Sequence, residues 1–138
     1  MKNYACAIVL ITVMMLAGCG SAVNRDKSAF IGAWEGFDPN GAKTTVTFMS
    51  GDMVSILSAG DREIHVNGSY RINSSEDPMW LDMFEFDHEE LEDMVFKGII
   101  SLENVNRIMI EGHFSNENDS RERPASFSGS ALTFDRKR

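Results

Sequence analysis

Disulfide chemistry is the first thing this sequence lacks. It holds two cysteines, Cys6 and Cys19, both near the amino terminus. Everything after Gly20 must therefore fold without a cross-link. Small secreted domains often use disulfides to offset a small core, so this one relies on packing in a regular, well-closed fold. Proline is scarce as well, with Pro39, Pro78 and Pro124 the full set; Pro is excluded from the centre of a hydrogen-bonded ladder. No apolar run is long enough to span a bilayer, which takes roughly 20 residues as a helix; the longest, residues 4–17, falls short. Positive charge is in deficit, with 13 Lys and Arg against 21 Asp and Glu and a formal charge of −8. Such a chain repels phosphate backbones, which argues against a nucleic-acid partner, and it has no basic patch for an anionic leaflet. The plain consequence of the charge is solubility. There is no repeat of fixed period.

What stands at the amino terminus has a definite pattern. Lys2 gives a positive start, and residues 4–17 are apolar apart from Thr12 and the Tyr4 hydroxyl. That length suits the apolar region of a secretory signal, about 7–15 residues. The run ends in Leu16-Ala17-Gly18-Cys19, which resembles a bacterial lipobox. The resemblance implies cleavage before Cys19, a thioether diacylglycerol on its sulfur and a further acyl chain, such as palmitate, on its freed amine. Each buried CH₂ contributes about 0.8 kcal/mol, and one chain alone binds only marginally; several chains on one residue anchor stably. The expected organisation is a signal peptide over residues 1–18, a lipidated cysteine and tether over 19–28, and one domain over 29–138. Gly20, where an inner-membrane retention signal would place Asp, favours the outer membrane, facing the periplasm, if the source is a Gram-negative cell.

Downstream, strand signals dominate. Residues 63–72 alternate strictly: Ile64, Val66, Gly68, Tyr70 and Ile72 share one face, and Glu63, His65, Asn67, Ser69 and Arg71 the other. This is the signature of a strand with one buried and one wet face. Further strands are expected over 29–37, 43–49, 53–58, 79–86, 94–102, 105–114 and 125–134. Asp38-Pro39-Asn40-Gly41 and Ser50-Gly51-Asp52 supply turns between them. The total is about eight short strands with mostly short connections. They form an all-β, up-and-down antiparallel barrel, because closure removes the exposed edges of a meander. A β-sandwich is the main alternative. An outer-membrane barrel is disfavoured by the polar outer face of residues 63–71.

Four short motifs occur in order: Gly32-Ala33-Trp34, Pro78-Met79-Trp80-Leu81-Asp82, Lys97-Gly98-Ile99, and Arg123-Pro124-Ala125-Ser126-Phe127. Together they resemble a group of small bacterial lipocalin-like lipoprotein domains of unassigned function, over residues 30–134, nearly all of the chain after the expected cleavage. The resemblance implies a barrel with Trp34 plugging one end. Ile100 stands where that group has an aromatic residue, and its usual cysteine in the next strand is missing.

No catalytic signature is present. His65, His88 and His113 stand outside any H-E-x-x-H context, no serine lies in G-x-S-x-G, and no C-x-x-C occurs. The chain is therefore expected not to be an enzyme and to need no cofactor. The acidic run at residues 85–93 lacks the EF-hand pattern and reads as a solvated loop or a single helical turn. The methionines form no close repeat and read as core fillers. A barrel interior built from Trp34, Phe48, Val66, Tyr70, Phe84, Phe96, Ile110 and Phe127 would be apolar and could hold a small hydrophobic molecule. The same residues could equally pack solid. In the first case the tether would hold the barrel mouth near the membrane. In the second, the acidic loops at 87–93 and 117–122 would be the recognition surface for a protein partner.

Overall fold

The computed structural model describes residues 26–138. The expected signal peptide, Cys19 and most of the tether lie outside the described residues. From Asp26 onward the chain forms a short 3-10 turn, Lys27–Phe30, and eight strands: β1 Gly32–Phe37, β2 Lys43–Met49, β3 Met53–Ala59, β4 Glu63–Asn73, β5 Met79–Phe84, β6 Val95–Asn104, β7 Arg107–Ser115 and β8 Leu132–Arg136. A second 3-10 turn, Glu89–Leu91, lies in the acidic connection between β5 and β6. Each strand pairs antiparallel with the next, and β8 pairs with β1, so the sheet closes into an up-and-down barrel. The fold expected from alternation and short turns is the fold observed.

Period-two alternation fills the barrel. Val46, Phe48, Val66, Tyr70, Leu81, Ile100 and Ile108 are buried in one continuous core. The end at which residue 26 enters is sealed. Phe30 and Trp34 are fully buried there, and Trp34 Nε1 donates to the Phe30 carbonyl at 2.8 Å. The Arg136 guanidinium lies 4.1 Å from the Trp34 ring centre and donates to the carbonyls of Ala29, Ile31 and Val105, each at 3.0 Å. Gly32 is the residue that allows this approach. Its φ is +130°, and a Cβ there would stand 2.8 Å from the Arg136 guanidinium. Phe48 and Tyr70 meet edge to face at 4.9 Å and complete the floor.

The opposite end differs because β8 is short. It pairs with β7 only over Arg107 to Ile110 and with β1 only over Trp34 to Gly36. The last five residues of β7, from Glu111, pair with β6 alone. The wall is therefore incomplete between β1 and β7.

The expected strand over 125–134 is thus corrected to Leu132–Arg136. The preceding residues serve instead as a strap across the outside of the barrel. Arg123 anchors it. Its Nη1 donates to the carbonyls of Leu81 and Gly98 at 3.2 and 2.7 Å, and Nη2 to Asp82 Oδ1 at 2.6 Å. Its guanidinium stacks 4.6 Å from the Trp80 ring centre. Further along, the Ser128 amide donates to Glu111 Oε2 at 2.7 Å. Between these anchors lies Ile99, which points outward from β6 yet has no exposed surface. The run Ser126-Phe127-Ser128-Gly129-Ser130 has no apolar alternation of its own, so nothing draws it into the sheet.

Candidate functional site

Beneath the missing part of the wall lies a cavity of about 410 Å³, lined mainly by Val46, Ile56, Met83, Phe96, Ile110 and Phe134. Leu132 and Phe114 stand at its side, and Asp38, Pro39, Thr44 and Ser58 at its lip. Small-molecule pockets run from roughly 300 to 1,000 Å³ and are mostly apolar with a few placed polar groups; this one fits that description. Its depth comes from missing side chains. Gly98 and Gly112 face each other on β6 and β7, and a Cβ on either would fall within 2.7 Å of the Phe96 ring. Phe96 therefore lies flat against the wall. Gly68 makes a similar space for Phe86, whose ring would be 2.9 Å from an added Cβ.

Phe86 reaches that space from the connection between β5 and β6. Glu85 adopts φ +54°, which ends the strand's alternation and turns Phe86 inward. Phe86 meets Phe114 edge to face at 5.7 Å, and Phe114 meets Phe96 at 5.3 Å. Outside the wall, Asp87 fastens the connection. It accepts from the Asn67 amide at 2.7 Å and from the Asn67 side chain at 2.9 Å, and its own amide donates back to the Asn67 carbonyl. These bonds hold the Asp87 carboxyl below the usual carboxylate range. The connection covers one side of the mouth, and the gap above β8 is the open side.

The polar groups at the lip are mostly engaged. Asp38 Oδ1 accepts from the amides of Asn40 and Ala42 at 2.8 and 2.9 Å, which fixes the carboxylate at the entrance. Thr44 donates to the Ala42 carbonyl at 3.1 Å. His113 Nε2 is buried without a hydrogen-bond partner.

Of the eight interior residues expected from the sequence, six are buried in the core: Trp34, Phe48, Val66, Tyr70, Phe96 and Ile110. Phe96 and Ile110 line the cavity; Trp34, Phe48 and Tyr70 belong to the floor, and burial there pushes the Tyr70 phenol upward. Phe84 is corrected. On β5 the buried residues are Met79, Leu81 and Met83, so Phe84 points outward, with the Arg71 guanidinium 5.7 Å from its ring centre. Phe127 is also corrected. It lies in the strap, half-buried beside Pro78, Met79, Ile100 and Leu102. Cys19 lies outside the described residues. The mouth and the point of chain entry sit at opposite ends of the barrel, so the expectation of a mouth held at the tethered end does not match the geometry.

The histidines have modest surroundings. His65 Nε2 is 2.8 Å from the Ser55 hydroxyl on the outer face, and His88 Nδ1 accepts from the Glu90 amide at 3.3 Å, capping the 3-10 turn. Among the described residues no group of three or more His, Cys, Asp or Glu side chains is placed to hold a metal ion. Four of the main lining residues escaped the sequence reading. Val46, Ile56, Met83 and Phe134 line the cavity, and all four follow from alternation once the strand phases are known. Comparison of the chain with protein-family models, curated proteins and solved structures finds no match.

Proposed function

We propose that this chain is a lipid-anchored cell-envelope protein, without enzymatic activity, whose barrel binds a small apolar molecule in the cavity beside β8. The observation that carries the binding half is an apolar cavity of about 410 Å³ that reaches the surface through an incomplete wall. A barrel selected only for stability would gain from covering these apolar walls, because burying apolar surface contributes roughly 25 cal/mol per Å². The anchoring half rests on Leu16-Ala17-Gly18-Cys19, and the resemblance to small lipocalin-like lipoproteins of unassigned function agrees with a barrel on a lipid anchor. The membrane contact would then run through lipid on Cys19, on the outer membrane facing the periplasm in a Gram-negative cell.

Native mass spectrometry of residues 20–138 expressed in a bacterial periplasm tests the binding half. A reproducible added mass, lost on denaturation, is expected. A clean apo mass, with no uptake of added apolar compounds, would overturn it. Metabolic labelling with palmitate tests the anchor: label should enter the wild type and not Cys19→Ser, and equal labelling of both would sink it.

A second reading has an observation of its own in the acidic connections, residues 85–94 above all, with six Asp and Glu and no Lys or Arg. In that reading the barrel is a scaffold that presents them to a basic envelope protein. Charge reversal across residues 87–93 should then abolish co-purification of that protein.

A further inference from the structure

We propose that the cavity selects amphiphiles with a cationic head over anionic ones, with Asp38 as the counter-charge at the lip. This rests on the binding reading above and names the class of ligand. Three observations lead to it. First, the cavity lining includes the Asp38 carboxylate and no Lys or Arg. Asp38 is fixed there by two amide hydrogen bonds to one oxygen, so it cannot swing away from a ligand head.

Second, charge is divided unequally between the two ends of the barrel. The connections at the mouth, residues 38–42, 60–62, 85–94 and 116–122, carry eleven Asp and Glu against Arg62 and Arg121. The segments at the sealed end, residues 26–31, 50–52, 74–78, 105–106 and 137–138, carry four acidic residues against three basic ones. An entrance lined by one sign of charge and walled by low-dielectric protein concentrates ligands of the opposite sign.

Third, the lining offers an anion no Lys or Arg: besides Asp38 its polar side chains are Thr44, Ser58 and His113, and Thr44 already donates to the Ala42 carbonyl. A carboxylate or sulfate carried in on an apolar chain would lose water without gaining a Lys or Arg partner and would face the Asp38 carboxylate at the lip. A long chain seated against Ile56, Phe96 and Ile110 leaves its head at the lip. There an ammonium would meet Asp38 while still reaching solvent.

The test uses residues 20–138, which contain every strand of the closed barrel. The neutral fluorophore N-phenyl-1-naphthylamine is bound first. It is then displaced with dodecylammonium, dodecyl maltoside or dodecanoate, each below its micelle-forming concentration. The expected order is cationic, then neutral, then anionic, with about tenfold or more between the first and the last, as one charge pair at an exposed lip allows. The preference should shrink in high salt and in Asp38→Asn, whose amide oxygen can keep the turn's hydrogen bonds. Equal displacement by all three would overturn the charge selection and leave the apolar cavity standing. An anionic preference would overturn it outright. No saturable binding of the fluorophore or of any chain would remove the binding reading and this inference together.

Discussion

Trp34 and Arg136 meet where alternation alone would place an apolar pair. The sequence marks Trp34 through the motif Gly32-Ala33-Trp34, but Arg136 hides in a basic carboxy-terminal run, Arg136-Lys137-Arg138. Its inward phase could have been read by extending Leu132 and Phe134 by two residues. Trp34→Ala should cost about 3–5 kcal/mol, as for other fully buried aromatics, measured by urea unfolding; a loss below about 1 kcal/mol would show that the floor is not packed as described. Phe84 and Phe127 were misplaced for different reasons. Both faces of Met79-Trp80-Leu81-Asp82-Met83-Phe84 carry large apolar side chains, so the period does not fix which face is inner. Asp82 was the available signal, since a charge belongs on the face that also holds Phe84. For Phe127 the motif was legible but its role was not, because a strap held by Arg123 has no periodic signature. Phe84→Ser should therefore cost about 1 kcal/mol or less and leave fluorophore binding intact, as expected for a side chain outside the core. A strong loss of binding would mean that Phe84 reaches the interior.

Strands were more legible than connections at the level of elements. Seven of the eight strand segments lie close to where alternation and turn residues place them; the eighth was displaced by the strap. Arg123 and Asp82 are only 17% and 16% exposed, and Arg71 also reaches Asp82 at 3.3 Å. Removing Arg123 strands part of that charge and frees two carbonyls, so Arg123→Ala should destabilise by about 2–4 kcal/mol. Arg123→Lys should rescue little, because an ammonium cannot reproduce the fork and the stack on Trp80. Hydrogen exchange in residues 116–131 reads the outcome, and unchanged protection there would contradict the role of the strap. Two carboxylates, the exposed Asp87 and the half-buried Asp119, also fasten loops beside the mouth. Asn67 lowers Asp87 through two hydrogen bonds, and Arg121 lowers Asp119 from the ordinary 3.8 to about 2. A depressed carboxyl pKa adds stability that is present above the unfolded value and is lost as pH falls through the folded one. Both loops should thus loosen only on strong acidification, for Asp119 as pH falls from 3.8 toward about 2. A carbon-detected NMR titration should find both midpoints below the free-carboxylate value, and Asn67→Ala, which removes the side-chain hydrogen bond and keeps the amide's, should raise the Asp87 midpoint part of the way back. An ordinary midpoint for Asp87 in the wild type would contradict the clamp.

The whole molecule is a closed barrel with a sealed floor and an open, acidic mouth at the far end from chain entry. The closed sheet was legible because eight alternating segments with short turns leave few other ways to bury one face of each. Whether the interior was filled was not legible, since the same side chains serve a packed core or a lined cavity. The difference comes from the short β8 and from three glycines, Gly68, Gly98 and Gly112, whose bare backbones leave room for the rings of Phe86 and Phe96 against the wall. Closing the entrance tests that arrangement most directly. Leu132 is half-buried at the entrance, and Leu132→Trp would fill the gap without touching the floor. Titration of wild type and Leu132→Trp with N-phenyl-1-naphthylamine, alongside urea unfolding of both, reads the result. Saturable one-to-one binding by the wild type, weakened about tenfold or more in Leu132→Trp at similar stability, is the outcome this account predicts. No saturable binding by the wild type, or equal binding by both proteins, would contradict it.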